Sequence, residues 1–83
     1  MSMLINTFRT KIQNVIEYED SVFFGGPMAE QMFDIALEYR RLGLFKEVLR
    51  NAIIDVTFEY DRDTEAYQLL HELHAVIEAK MPS

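Results

Sequence analysis

Two histidines near the C-terminus are the side chains best suited to chemistry. His71 and His74 lie three residues apart and Glu78 follows four residues later, so on a helix both imidazoles and this carboxylate could reach one metal ion. Zincin sites, however, use histidines four residues apart, and di-iron sites use a glutamate three residues before a histidine, where this chain has Gln68. We therefore expect unligated histidines, no metal site and no cofactor.

Sequence patterns for covalent catalysis or phosphate binding are missing. There is no cysteine, and none of the serines lies beside a histidine. The pair Gly25-Gly26 lacks the spacing of glycine-rich phosphate loops, and we expect it to let the chain turn into a helix. The chain is therefore predicted not to be an enzyme. Metal-assisted or acid–base catalysis by the histidine pair and Glu78 is the remaining enzymatic alternative.

Length and composition predict one compact, soluble domain. The chain has 83 residues, of which 49% are hydrophobic and 27% charged, which is enough for one core and too short for two. Its net charge of −6 disfavours binding to nucleic acid or anionic lipid. No segment approaches the roughly 18 consecutive apolar residues of a membrane span. The absence of cysteine fits a reducing compartment and the N-terminus does not resemble a signal peptide, so we expect a cytoplasmic protein.

Hydrophobic residues recur every three or four positions through most of the chain, which indicates helices. Breaks at Gly25-Gly26-Pro27, at Gly43 and at the polar turn Asp61-Arg62-Asp63 separate four such stretches. Gly43 is expected to end the second helix in a left-handed conformation, and Asp63 or Thr64 to cap the fourth. The sequence therefore predicts an all-α, compact four-helix domain of antiparallel helical hairpins. Its predicted helices span approximately residues 3–19, 28–42, 44–60 and 64–80.

Each predicted helix carries an apolar stripe that would face the core. The stripe of the second helix is predicted to end at Leu42, and that of the third helix to begin at Phe45. The predicted stripes are Leu4, Phe8, Ile12, Val15 and Ile16; Met28, Met32, Ile35, Ala36, Tyr39 and Leu42; Phe45, Val48, Leu49, Ala52, Ile53 and Val56; and Ala66, Leu69, Leu70, Leu73, Val76 and Ile77.

The second stripe has a local resemblance to a known repeat. The residues that carry it are Ile35-Ala36, Tyr39, Gly43 and Phe45. They resemble the first helix and turn of a tetratricopeptide repeat over about twenty residues, and the resemblance ends where Val48 replaces a small residue and Ala52 a bulky one. It implies a helical hairpin and carries no family function, because a solenoid needs three or more repeats.

Charged residues cluster at three places in the sequence. An acidic group at the predicted end of the first helix opposes the helix dipole; it consists of Glu17, Glu19 and Asp20. A second acidic group, partly explained by capping of the fourth helix, consists of Glu59, Asp61, Asp63 and Glu65. Four of the eight basic residues form a basic corner around Gly43, namely Arg40, Arg41, Lys46 and Arg50. We expect the acidic group at the end of the first helix to bind a basic partner. The basic corner either binds an acidic patch or is ordinary solvated helix surface.

Apolar residues outside the main stripes are further candidates for partner binding. Phe33 and Leu37 lie four residues apart on one flank of the second helix, and Ile54 and Phe58 do the same on the third. They either pack against neighbouring helices or form an exposed patch. The adjacent aromatics Phe23-Phe24 either close the end of the bundle or anchor a partner.

These observations favour a binding protein. We predict a small acidic regulatory protein, an inhibitor or adaptor, that binds a larger protein with a basic surface. The alternative is a structural homo-oligomer assembled through the apolar faces of the two central helices. Nucleic-acid binding through the basic corner is disfavoured by the net charge of −6.

Overall fold

The computed structural model describes residues 2–18 and 26–82, with side chains from 3–18 and 28–82. Four helices make up most of these residues, and no strand occurs among them. The helices are α1 (Ser2–Tyr18), α2 (Gly26–Arg41), α3 (Lys46–Thr57) and α4 (Glu65–Lys80). The predicted all-α four-helix domain is confirmed. No helix in the described part of the chain combines the length and apolarity needed to cross a bilayer.

Gly43 ends α2 as predicted. The Leu44 N–H donates to the Tyr39 carbonyl at 3.1 Å and the Gly43 N–H donates to the Arg40 carbonyl at 3.2 Å, which is the hydrogen-bond pattern of a Schellman motif. Gly43 has a φ of +117°, a conformation that residues with a Cβ rarely adopt. Tyr39 and Leu44 are both buried, as is usual for the apolar pair that flanks this motif.

Thr64 begins α4, as one of the two predicted caps. Its hydroxyl oxygen accepts a hydrogen bond from the Tyr67 N–H at 3.1 Å and donates one to the Asp61 carbonyl at 2.7 Å. The first contact satisfies an N–H that has no partner within the helix. The second ties the cap to the preceding turn, so one hydroxyl fixes where α4 starts and how the chain enters it.

α3 is shorter than predicted, and two residues predicted for the core are exposed. Leu42 and Phe45 are 59% and 64% exposed. The prediction was wrong because the apolar periodicity continues past the helix ends: Leu42 follows the last residue of α2, and Phe45 is the extended N-cap of α3. Leu44, in the link between them, enters the core instead. At its other end α3 stops at Thr57, and the Glu59 and Tyr60 N–H groups bond to the carbonyls three residues back.

One apolar cluster joins all four helices. Ile35, Val48 and Val76 are half-buried members of the predicted stripes. The fully buried side chains with the largest volumes are Phe8, Ile12, Met28, Met32, Leu49, Ile53, Val56, Leu70, Leu73 and Ile77. The rings of Phe8 and Tyr39 meet at 5.2 Å between centroids and join α1 to α2. The stripes therefore form one core, as a chain of this length requires.

Side-chain contacts between helices define the arrangement of the helices. Arg9 binds Asp55 at 2.6 Å and the Gln13 amide donates to the Glu59 carboxylate at 2.5 Å. Both contacts join residues 46 positions apart, so α1 and α3 run in the same direction. α3 packs most closely against α4, whereas α2 packs against α1 and α4 more than against α3. The C-terminal ends of α1 and α3 therefore lie at one end of the molecule, together with the start of α4.

Candidate protein-interaction surfaces

The two histidines pack against each other, and the carboxylate expected to join them at a metal ion is paired with an arginine. The His71 and His74 rings stack at 5.0 Å between centroids. Burial, followed by the proximity of His71 and of the Arg50 guanidinium, lowers the pKa of His74. Glu78, the expected third ligand, accepts a hydrogen bond from Arg50 at 2.7 Å. In the part of the chain that the structure describes, no three His, Cys, Asp or Glu side chains are grouped closely enough to hold a metal ion.

A concave region on α1 does not resemble an active site. It has a volume of about 560 Å³ and is lined by residues of α1 alone, so no other element closes over it. The lining residues are Met3, Asn6, Thr7, Thr10, Lys11 and Asn14. A surface of one helix offers water free access, and its charged group is a lysine. This region therefore lacks the enclosure that is typical of an active site.

The parallel run of α1 and α3 brings two acidic groups of the sequence together. Glu17 from α1 and Glu59 from the turn after α3 both act on Tyr60, whose pKa is raised by burial first and then by these two negative charges. Asp61, Asp63 and Glu65 follow along the same turn into α4. We call these five carboxylates, Glu17, Glu59, Asp61, Asp63 and Glu65, the acidic end. Arg62 is the only cation in the turn from Phe58 to Glu65.

Two aromatic side chains are exposed at the acidic end. Tyr18, the last residue of α1, is 81% exposed, and Phe58, the residue after α3, is 75% exposed. Phe58 was a candidate from the sequence, whereas Tyr18 was missed. Tyr18 lies three residues after the buried Val15, so apolar spacing gave no signal that it would be exposed. Large aromatic side chains surrounded by charge at one end of a domain are typical of protein-binding surfaces.

The remaining apolar candidates are more deeply placed. Phe33 and Leu37 are half-buried and pack against the core, and Ile54 is half-buried. Phe33 also lines a groove between α2 and α4 with a volume of about 390 Å³. We call this the α2–α4 groove; its lining residues are Ala29, Glu30, Phe33, Asp34, Glu72, Leu73, Val76 and Lys80. The predicted aromatics Phe23 and Phe24, and the acids Glu19 and Asp20, lie outside the described residues.

The basic corner combines cations with exposed apolar side chains. Arg40 lies over the Phe45 ring, with its guanidinium carbon 5.9 Å from the ring centroid. Arg41 is exposed and Lys46 is half-buried, whereas Arg50 binds Glu78 and is taken out of the free positive surface. With Leu42 and Phe45 exposed between these cations, the corner is an apolar patch with a basic rim.

Comparison of the chain with protein-family models, with curated proteins and with solved structures finds no significant match.

Proposed function

We propose that this chain is a small regulatory protein that binds a larger protein with a basic surface through its acidic end. The observation that carries the proposal is the exposure of Tyr18 and Phe58 beside Glu17 and Glu59. The carboxylates would attract a basic partner, with an effective range of about 10 Å at 0.1 M salt. The aromatic rings would then supply the apolar area that holds the complex together.

The acidic end is poorly explained by folding alone. Glu17 lies in the last turn of α1, which contains no basic residue, so its charge opposes the helix dipole at a cost of about 0.3–1 kcal/mol. Tyr18 and Phe58 contribute little to the core because most of each side chain stays in water. A basic partner would offset the charge of Glu17 at the end of α1 and cover the rings.

Charge reversal tests the proposal directly. The double variant Glu17→Lys with Glu59→Lys should lose a partner that the wild type retains in affinity purification from host extract. Phe58→Ser should lose it as well while unfolding at nearly the same temperature. The control is Glu38→Lys, which makes the same charge change as either substitution of the double variant, at an exposed position in the C-terminal half of α2, where a cation suits the helix dipole.

The comparison among variants decides the outcome. A partner that is lost by the acidic-end variants and retained by Glu38→Lys supports the proposal, and the direct complex should then weaken as salt increases. A partner retained equally by the wild type and the Glu17/Glu59 variant would show that the acidic end is not the binding surface.

A further inference from the structure

The α2–α4 groove has an apolar floor and acidic rims. Ala29, Phe33, Leu73 and Val76 form the floor, and all of these except Leu73 are half-buried. The exposed carboxylates of Glu30 and Asp34 border it from α2 and that of Glu72 from α4, while Lys80 is the one cation in the lining. Local charge in the lining is therefore negative, even with Lys80 included.

The rim carboxylates form no ion pair with another side chain that the structure describes. Among the described side chains, the ion pairs are Arg9 with Asp55 and Arg50 with Glu78, and neither includes a residue of the groove. Glu30 and Asp34 lie four residues apart on α2, a spacing at which like charges repel. A ligand for this groove should therefore present apolar side chains surrounded by positive charge.

The same chain presents such a ligand at its basic corner. Leu42 and Phe45 are 59% and 64% exposed there, and Arg40, Arg41 and Lys46 surround them. The corner cannot enter the groove of its own molecule, because Leu42 follows Phe33 by nine positions along rigid α2, a rise of about 13 Å. Only the groove of another molecule is accessible to it.

We propose that the basic corner of one copy of this chain docks into the α2–α4 groove of a second copy. Phe45 and Leu42 cover the half-buried floor, and Arg41 and Lys46 lie against the acidic rims. Different surfaces of the two copies meet, so the contact is heterologous. It differs from a symmetric pairing of Phe33 and Leu37, whose side chains already pack against the core. Tyr18 and Phe58 take no part, which leaves the acidic end free for another protein.

Sedimentation velocity of the full chain over a concentration series tests the contact. The average mass should increase from low micromolar to millimolar protein. It should fall again when salt is raised from 0.1 M to 1 M, because the screening length shortens from about 10 Å to about 3 Å. Glu17→Lys, which changes the acidic end alone, should associate like the wild type. Self-association and the proposed partner binding can therefore fail separately.

Two variants each alter one side of the contact. The corner variant carries Phe45→Ser and Lys46→Glu, which suit the N-cap and first turn of α3 and so preserve the helix start. The groove variant carries Asp34→Lys and Glu72→Lys, both at exposed positions. Each alone should weaken self-association by at least about tenfold, as expected for loss of an aromatic anchor or of its charge complement. Lys11→Glu, on the outer face of α1, is the matched charge control.

Mixing the two variants gives the decisive result. The groove variant keeps an intact corner and the corner variant keeps an intact groove, so an equimolar mixture should associate where neither variant does alone. Circular dichroism must first show that both variants fold. A folded pair that fails to associate on mixing overturns the proposal, as does a wild-type assembly that neither variant weakens. A wild-type chain that stays monomeric up to millimolar concentration overturns it as well, whatever other protein the groove then captures.

Discussion

Replacing Gly43 tests whether the link between α2 and α3 depends on its unusual backbone conformation. Gly43 has a φ of +117°, and no atom lies within 4 Å of the position that a Cβ would occupy. Gly43→Ala should therefore destabilise the fold through backbone strain alone, without a steric clash. Its effect isolates the conformational requirement of the Schellman motif that ends α2.

Two opposing terms set the size of this effect. A left-handed conformation costs a residue with a Cβ about 1–2 kcal/mol. Alanine also restricts the unfolded chain, which stabilises the folded state by about 0.4–1 kcal/mol. The net loss in the free energy of unfolding is then of the order of 1 kcal/mol, and a domain of this size should unfold about 4–8 °C lower.

Thermal and urea unfolding followed by circular dichroism measure this loss. Gly43→Asn should lose less than Gly43→Ala, because the short amide side chain tolerates the left-handed region. Gln31→Ala, at an exposed position in α2, should change the free energy of unfolding by less than about 0.5 kcal/mol. An alanine variant as stable as the wild type would refute the reasoning, since α2 would then end without any need for a positive φ.

Three further changes test the cap, the core and the histidine pair. Thr64→Ala removes the hydroxyl that caps α4 and should cost about 1 kcal/mol in urea unfolding; Thr64→Ser should retain most of that energy. Leu73→Ala, at a site only 1% exposed, should cost about 2–5 kcal/mol, and a loss below 1 kcal/mol would contradict its place in the core. The pKa of His74 is lowered in the folded state, so its stabilising contribution is complete above the unfolded value of 6.5 and is lost as pH falls toward the folded pKa. His74→Gln should therefore flatten the decrease of melting temperature between about pH 7.5 and pH 5.5, and an unchanged slope would contradict this.

Local signals in the sequence were sufficient to predict the four helices. Gly43 and Thr64 mark helix ends through interactions with residues only three to five positions away, so their effect can be predicted without knowing the fold. Leu42 and Phe45 were predicted wrongly for the same reason. Periodicity is local as well, and it continues through an extended link in which side-chain directions no longer follow the helical period.

The acidic end could not be predicted in this way. Glu17 and Glu59 are far apart in sequence, and only the parallel run of α1 and α3 places both beside Tyr60. The segment between α1 and α2 spans several residues, and a connection of that length allows more than one packing of α1. The contacts that reveal its direction, Arg9 with Asp55 and Gln13 with Glu59, involve polar side chains at the surface that carry no periodic signal.

Phe45 illustrates how a residue that we propose for binding can occupy a structural position at little cost to stability. As N-cap of α3 it makes no side-chain hydrogen bond. A serine at this position would stabilise the fold by about 1 kcal/mol through such a bond. About a third of Phe45 is nevertheless buried, because it is 64% exposed. For an aromatic ring that buries 150–250 Å² in full, this third removes about 50–80 Å² from water and contributes about 1–2 kcal/mol. The two terms nearly cancel, so folding leaves this position open to selection for binding. The same holds more strongly for Tyr18 and Phe58, which are 81% and 75% exposed and have even less burial to lose.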